Sequence, residues 1–266
     1  MSFDVDRYLA RIGYDGPRDP TVEALGELQL AHLMAVPFEN LHVFHRVGVR
    51  VDVGWSYAKL VEQRRGGWCF ELNGCFAALL RGLGFDVDLL SCRTFDSATG
   101  GLSDEFDHLA LLVRLDGAVH LVDVGWGDGP LRPLPAETGE YASCPRPARI
   151  EADGSTVRLI ELVRREDDTA GWELQYEASR RPRQLAEFEA RSRYLQTAPG
   201  LSWTEKPLVT MATSDVGGRV TLHRDRLRVR GDDLSIEDRP VTAEQWPGEL
   251  ATWFDLTVPT SLFHNS

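Results

Sequence analysis

The spacing of apolar residues in the first third of the chain is typical of helices. Apolar side chains recur there at steps of three and four, which is the spacing of one face of a helix. The predicted helices cover residues 4–13, 21–35, 57–62 and 69–83. Thr21 and Ser56 are placed to cap the second and third of these helices, and Pro37 is placed to end the second. The pattern therefore predicts a helical domain over residues 1–84.

The pattern changes at Phe85 from helical spacing to alternation. Apolar and polar residues alternate from there on, and β-branched and aliphatic side chains become frequent, as in strands. The predicted strands cover residues 85–94, 108–115, 118–124, 156–163 and 172–178. Prolines are dense between residues 130 and 147 and indicate a long connection without regular structure. We therefore expect a β-domain over residues 85–182.

The rest of the chain mixes both patterns. Leu185 and Phe188 lie on one side of a helix predicted for residues 183–195. Two further strands and a final helix are predicted at residues 207–213, 219–230 and 243–254. We therefore expect an α+β protein in which a linking helix over residues 183–205 joins the β-domain to a last α/β unit over residues 206–266.

Composition and charge limit the partners. The chain has 266 residues, of which 42% are apolar, with a net charge of −12 and a pI near 5.1. Nucleic acids and anionic membranes attract clustered positive charge, so we expect neither as a partner. Four cysteines without a C-x-x-C pair predict neither a zinc site nor a disulfide framework, and this usage fits a reducing cytoplasm. We therefore expect a cytoplasmic protein without a resident metal.

One cysteine stands where the chain bends into a predicted helix. Gly66 and Gly67 precede Trp68 and Cys69, so Cys69 begins the helix. Free N–H groups and the positive end of the helix dipole stabilise an anion at this place and favour the nucleophilic thiolate. A cysteine on an amphipathic helix is otherwise a small buried core residue. Cys69 is therefore a candidate nucleophile that requires a base.

A predicted hairpin supplies a candidate base and a candidate acid. Asp116 and Gly117 carry the Asp-Gly signature of a two-residue turn between two alternating strands. With this turn, His108 and Asp123 share one face of the hairpin as a diagonal pair, close enough for an imidazole to bond a carboxylate. His120 lies on the opposite face. The hairpin thus selects one histidine and one aspartate.

The candidate pair has two interpretations. A histidine and an aspartate on one strand face also serve to steady a hairpin. Combined with a cysteine at a helix start, the pair is the arrangement in which histidine is the base of a thiol nucleophile and aspartate fixes its tautomer. Two families use the chain order Cys, His, Asp, namely transglutaminase-like thiol enzymes and arylamine N-acetyltransferases.

Four motifs of the sequence resemble those of arylamine N-acetyltransferases. They are VPFENL at residues 36–41, RRGGWCFELN at 64–73, DHLALLV at 107–113 and LVDVGWG at 121–127. The motifs follow the family's order and spacing over nearly the full length of the chain, whereas transglutaminase-like enzymes share only the order of the triad. The chain therefore resembles an arylamine N-acetyltransferase.

The resemblance implies a fold and a reaction. The fold is an N-terminal helical bundle, a central antiparallel β-barrel-like domain and a C-terminal α/β lid, with a core like that of cysteine proteases. The reaction is a ping-pong acyl transfer with Cys69, His108 and Asp123 as the triad. The thiolate takes an acetyl group from acetyl-CoA or another acyl thioester, and the nitrogen of an arylamine, hydrazine or hydroxylamine then takes it from the enzyme.

The resemblance also implies roles for residues around the triad. The aromatic side chains of a pocket for flat, neutral arylamines correspond to Phe38, Trp126 and Trp203. Glu39 and Arg65 match an ion pair that holds the cysteine loop in place. Independently of the resemblance, Gly127 lies in a glycine cluster over residues 125–129 that is a candidate to present N–H groups to a phosphate of the CoA co-substrate, although a strand that ends in a turn has the same pattern.

One segment departs from the family's pattern. The family carries a stretch rich in serine and threonine that ends in phenylalanine before the third domain, whereas residues 196–203 here are QTAPGLSW. The bulkier Trp203 changes the shape of the cleft. Amide synthases are relatives that use the same triad to take a polyketide chain from an acyl carrier protein and close a macrolactam onto an aryl amine. They are the alternative interpretation.

Overall fold

The computed structural model describes residues 3–97, 99–164 and 169–257, so the outer ends of the predicted units 1–84 and 206–266 lie outside the described residues. Helices fill the first part of the chain, as predicted. The elements are α1 (Val5–Ile12), α2 (Val22–Ala35), β1 (Phe38–Glu39), α3 (Leu41–Phe44), α4 (Val53–Tyr57), a π-helical turn (Ala58–Glu62) and α5 (Cys69–Gly82). The central helix is α5, whose Leu72, Phe76, Leu79 and Leu80 side chains are fully buried.

The caps of two helices test the predicted helix starts. Thr21 caps α2, because its side chain accepts a hydrogen bond from the Ala24 N–H at 3.2 Å. The predicted Ser56 cap is wrong. Asp52 caps α4 instead and accepts from the Trp55 N–H at 2.8 Å, while the Ser56 hydroxyl donates back to the Asp52 carbonyl. The helix begins earlier than predicted because the Asp52 side chain, four residues upstream, supplies the cap, so that Ser56 lies inside the helix.

The middle of the chain forms an antiparallel sheet. Its strands are β2 (Asp86–Asp96), β3 (Gly101–Leu102), β4 (His108–Leu115), β5 (Ala118–Val122), β6 (Leu134–Pro135), β7 (Gly139–Tyr141), β8 (Ala148–Ala152), β9 (Thr156–Arg164) and β10 (Ala170–Ser179). In the described residues the order is β6-β5-β4-β2-β10-β9-β8-β7, with β3 beside β2. The sheet curls into a nearly closed barrel-like layer, with β4 near its centre.

The predicted connection without regular structure is wrong in part. Residues 130–147 contain β6 and β7 and lead directly into β8. Pro135 pairs with His120 in an outer, two-residue strand, where a missing N–H is tolerated. Prolines therefore shorten the strands of this segment without abolishing them.

Alternate residues of β4 face two separate cores. Leu109, Leu111 and Val113 pack with the residues of α5, whereas Ala110 and Leu112 pack inside the sheet. Both sets are almost fully buried. Burial on both faces explains the nearly continuous apolar run of this strand.

The last part of the chain forms a second antiparallel sheet and its covering helix. Its elements are α6 (Glu189–Thr197), α7 (Ser202–Glu205), β11 (Leu208–Ala212), β12 (Arg219–His223), β13 (Arg226–Arg230), β14 (Ile236–Pro240) and α8 (Trp246–Phe254). The strand predicted over 219–230 is two strands, and the helix predicted over 183–195 is a 3-10 turn (Leu185–Phe188) followed by α6. The sheet order is β1-β11-β12-β13-β14, so β1 joins the helical part to this sheet.

These elements confirm the expected α+β class. The helical part, the barrel-like sheet and the sheet with α8 follow each other along the chain as predicted. Among the described helices, none has the length and apolar character that crossing a membrane requires.

Candidate active site

Cys69 is the first residue of α5 and lies at the end of a tight glycine turn. The Glu39 N–H donates to the Gly67 carbonyl at 2.8 Å, and the Gly67 N–H donates to the Pro37 carbonyl at 3.3 Å. A Cβ atom at Gly66 would come within 2.2 Å of the Pro37 oxygen, so only glycine fits there. The turn thus brings β1 beside the start of α5 and leaves Cys69 with 8% of its surface exposed.

The β4–β5 hairpin has the predicted register. Leu115 pairs with Ala118, and Val113 pairs with His120. Asp116 and Gly117 have φ angles of 50° and 81°, as a two-residue turn with two left-handed residues requires. The sequence therefore predicted correctly which side chains share a face of this hairpin.

His108 contacts both other members of the predicted triad. Its Nε2 atom lies 2.7 Å from Asp123 Oδ2, which leaves Nδ1 for the hydrogen bond to the Cys69 side chain. Burial disfavours the imidazolium, but the Asp123 carboxylate and the hydrogen bonds to Asp123 and Cys69 outweigh it and raise the pKa of His108 to about 10. The histidine is therefore placed to hold the proton of the cysteine thiol.

The other oxygen of Asp123 is fixed by two donors. Asn73 Nδ2 and the Gly125 N–H each donate to Asp123 Oδ1 at 2.8 Å. Asn73 also donates to the Leu109 carbonyl at 2.6 Å and accepts from the Val124 N–H at 2.9 Å. Asn73 was not among the predicted site residues. The signal that could have identified it is its position four residues after Cys69, on the same face of α5.

The expected ion pair belongs to a larger buried cluster. Arg65 Nη2 donates to Glu39 Oε1 at 2.8 Å, and Lys59 Nζ donates to both Glu71 oxygens at 3.0 Å. Glu71 also accepts from the Trp68 N–H at 3.2 Å. Burial would raise the pKa of Glu39, but Lys59 and Arg65 lower it to about 2. The pair therefore stabilises the turn before α5, and its neighbours Lys59 and Glu71 were not predicted.

Aromatic side chains form two groups near the triad residues. The Trp126 ring contacts the His108 ring edge-on at 5.0 Å between centroids, and the buried Tyr176 ring packs on both. Phe38 and Trp203 contact each other at 5.8 Å. The three predicted pocket residues thus belong to two groups of rings: Trp126 contacts His108, and Phe38 contacts Trp203. Tyr176, which was not predicted, belongs to the group at His108.

The segment after Asp123 passes directly over Cys69. A Cβ atom at Gly125 would come within 2.7 Å of the Cys69 Cα, so glycine permits the close approach. Gly127 has a φ of 84° and lies next to the Thr210 side chain. Its contact with a phosphate stays a prediction. In residues 3–97, 99–164 and 169–257, no group of three or more His, Cys, Asp or Glu side chains is arranged to hold a metal ion.

The sequence matches the N-acetyltransferase family over residues 21–263. The chain is 30% identical to an arylamine N-acetyltransferase of the pineal gland of Gallus gallus, over 96% of this chain and 94% of that protein. It is 33% identical to the arylamine N-acetyltransferase of Mycolicibacterium smegmatis, over 89% of this chain and 83% of that one.

A solved structure has the same fold. The arylamine N-acetyltransferase of Mycobacterium marinum, solved in complex with CoA, superposes with a TM-score of 0.87 at 28% identity and covers 98% of this chain and 97% of that one. Sequence and fold thus agree over nearly the whole chain. The chain therefore belongs to the arylamine N-acetyltransferase family and is an acyltransferase.

Proposed function

We propose that this enzyme transfers an acetyl group from acetyl-CoA to the nitrogen of an arylamine through an acetyl thioester on Cys69. The observation that carries the proposal is the hydrogen bonding of one imidazole to both Cys69 and Asp123. The CoA complex of the Mycobacterium marinum relative supports the choice of donor. The same catalytic groups accept a hydrazine or a hydroxylamine as well.

In the first half-reaction the Cys69 thiolate attacks the thioester carbonyl of the donor. A bond forms between Cys69 Sγ and the acetyl carbon, the bond from that carbon to the CoA sulfur breaks, and the protonated His108 gives its proton to the departing CoA thiolate. Exchange of one thioester for another is nearly balanced in free energy, so a cysteine suits this donor. Neutral His108 remains beside the acetylated cysteine.

In the second half-reaction the amine attacks the acetyl carbon of the enzyme thioester. His108 takes the proton from the attacking nitrogen, the carbon–sulfur bond breaks, and Cys69 leaves as a thiolate beside the imidazolium. Asp123 keeps the imidazole in one orientation throughout, because it binds Nε2 and leaves Nδ1 for the reacting groups. The cycle thus ends in the ion pair with which it began.

Aromatic side chains provide the acceptor pocket of this proposal. Arylamines are flat and neutral near pH 7, and apolar rings bind them without loss of ionic hydration. Trp126 lies against His108, so a ring stacked on Trp126 places its nitrogen near the base. Phe38 and Trp203 form the second group of rings, beside the turn that leads to Cys69.

The segment that departs from the family's pattern bears on the amide synthase alternative. Trp203 packs against Phe38 there, and Asn40 Nδ2 holds the Trp203 carbonyl at 3.0 Å. A polyketide chain on a carrier protein requires an open apolar channel, whereas two large rings in contact favour a small acyl group. This contact supports acetyl transfer over macrolactam closure.

Steady-state kinetics test the proposal. With acetyl-CoA and aniline as varied substrates, we expect N-acetylaniline as product and parallel double-reciprocal lines, because CoA leaves before the amine reacts. Intersecting lines would show that both substrates bind before chemistry and would contradict the acetyl-enzyme. Inactivity with acetyl-CoA, together with turnover of a long acyl thioester on a carrier protein, would establish the amide synthase alternative.

A further inference from the structure

Three guanidinium groups converge on one carboxylate beside the proposed amine pocket. Arg230 donates from Nη2 and Nη1 to the two oxygens of Asp128 at 2.7 and 2.8 Å, in a fork geometry. Arg146 Nη1 donates to Asp128 Oδ2 at 2.8 Å, and Arg219 Nε lies 2.9 Å from Oδ1. A single side chain of the loop after Trp126 therefore binds three arginines.

The partners of Asp128 come from both sheets of the molecule. Arg146 precedes β8 and also donates to Glu161 of β9 at 2.9 Å, so it belongs to the barrel-like sheet. Arg219 lies on β12 and Arg230 on β13, in the other sheet. Asp128 thus joins the two sheets through one carboxylate.

The same contacts fix the loop that carries Trp126. Arg146 Nη2 donates to the backbone carbonyl of Asp128, in addition to the bond to the carboxylate. A Cβ atom at Gly129 would lie 3.0 Å from Trp126 Cδ1, so the loop turns tightly against the indole. The position of the Trp126 ring therefore depends on the position of Asp128.

The second group of rings is attached to the other sheet. Phe38 pairs with Thr210 across β1 and β11. The Arg219 Nη1 atom donates to the Thr210 hydroxyl at 3.0 Å while its Nε atom faces Asp128. One arginine, with only 4% of its surface exposed, thus connects the Trp126 loop to the strand beside Phe38.

We propose that Asp128 is a positioning residue that fixes the Trp126 ring relative to the Phe38 ring and thereby selects flat aromatic amines over small nucleophiles. The inference rests on the proposed function, because it concerns the amine pocket of that reaction. Asp128 touches none of the reacting groups. It acts through Trp126 on one side and through Arg219 on the other.

The charge of Asp128 persists at the pH of any ordinary assay. Partial burial would raise the pKa of Asp128, but the hydrogen bond from Arg230 and the charges of the three arginines hold it well below its ordinary range. Replacement by asparagine keeps the shape of the side chain and removes the charge. The three arginines, which come from both sheets, then have no negative charge to bind at this position.

The test compares an arylamine with a nucleophile that has no ring. For Asp128→Asn we expect kcat/KM for aniline to fall about tenfold or more, since small misplacements of a binding group are costly, and kcat/KM for hydrazine to change by less than about twofold. In a ping-pong reaction kcat/KM for the acceptor reports only the second half-reaction, so a change in the rate at which acetyl-CoA acetylates Cys69 does not enter this comparison. The selectivity for aniline over hydrazine is the decisive ratio.

A matched variant controls for the loss of an ion pair. Asp238 accepts from Arg228 Nε and Nη2 at 2.8 Å each, in the sheet that also holds Arg230, but it is distant in the sheet from β1. We expect Asp238→Asn to leave the aniline to hydrazine ratio unchanged. If Asp128→Asn does not fold, Arg230→Gln is the second variant. It removes the two hydrogen bonds from Arg230 and leaves Arg146 and Arg219 at Asp128. We expect it to lower the ratio of kcat/KM for aniline to kcat/KM for hydrazine.

Two results would overturn the inference. An equal fall for both nucleophiles would show that Asp128 only stabilises the fold, and an unchanged ratio in a folded variant would show that the two ring groups keep their positions without it. Failure of the proposed function is separate, because the wild-type enzyme would then transfer acetyl to neither aniline nor hydrazine.

Discussion

Both polar atoms of the Asn73 amide group form hydrogen bonds at the site. Nδ2 binds Asp123 Oδ1 and the Leu109 carbonyl, and Oδ1 binds the Val124 N–H. The helix that presents Cys69 therefore also holds the Asp123 carboxylate that binds His108. Asn73 thus sets the geometry of the proposed triad without a part in the proposed chemistry.

Asn73→Ala tests this role. The substitution leaves the buried Leu109 carbonyl and Val124 N–H without a partner, which costs about 1–3 kcal/mol of unfolding free energy. It also lets the Asp123 carboxylate turn away from His108, so we expect kcat/KM to fall by about tenfold to a hundredfold. Urea unfolding and steady-state rates measure the two effects.

Cys75→Ala, on the same buried helix, is the control for Asn73→Ala. It removes a sulfur from the core, so we expect some loss of stability and no loss of activity in the folded enzyme. A destabilised Asn73→Ala enzyme with normal kcat/KM would show that Asn73 supports only the fold.

The β4–β5 hairpin places its two histidines in opposite electrostatic environments. His108 faces a carboxylate, and its pKa is raised to about 10. His120, on the other face, is almost fully buried, and burial lowers its pKa below the ordinary 6.5. One turn of two residues thus separates a charged imidazole from a neutral one.

Nitrogen-15 NMR of the imidazole rings tests this prediction. At pH 8 we expect His108 to be protonated and His120 to be neutral. In Asp123→Asn the carboxylate is lost and burial remains, so His108 is expected to be neutral at pH 8, while His120 is unchanged. A neutral His108 in the wild-type enzyme at pH 8 would contradict the ion pair from which the proposed reaction starts.

The same shift gives a sign for the pH dependence of stability. Folding raises the pKa of His108 from its ordinary 6.5 to about 10, so its protonation stabilises the fold fully below pH 6.5. That stabilisation is lost as the pH rises through about 10. The stability difference between wild type and Asp123→Asn is therefore expected to shrink between those two pH values, and a difference that grew there would contradict the assignment.

Elements with local signals were predictable from the sequence. The Asp-Gly turn fixed the register of the hairpin, and with it the pairing of His108 and Asp123. The glycine pair and the apolar spacing placed Cys69 at the first residue of α5. In each case neighbouring residues alone decide the geometry.

Elements that depend on distant partners were not predictable. Strand β8 follows a proline-rich segment and is stabilised by β9, to which it pairs along its length. Lys59 and Glu71 come together across the turn before α5, and Tyr176 contacts His108 from strand β10, 68 residues later in the chain. Such contacts leave no period or motif in the sequence.

The parts of the site come from all three regions of the molecule. Cys69 lies in the helical region, His108 and Asp123 in the barrel-like sheet, and Trp203 before the final sheet. Strand β1 joins the first region to the last, and Asn40 strengthens the junction because its side chain binds Leu208 N–H at 2.8 Å. The cleft therefore forms only when the whole chain has folded.

Intact-protein mass spectrometry after incubation with acetyl-CoA alone tests whether Cys69 carries the acetyl group. We predict a gain of one acetyl group on the wild-type enzyme and none on Cys69→Ala, and we predict that aniline added afterwards removes the group as N-acetylaniline. No acetylation of the wild type, or acetylation that persists in Cys69→Ala, would contradict acetyl transfer through Cys69.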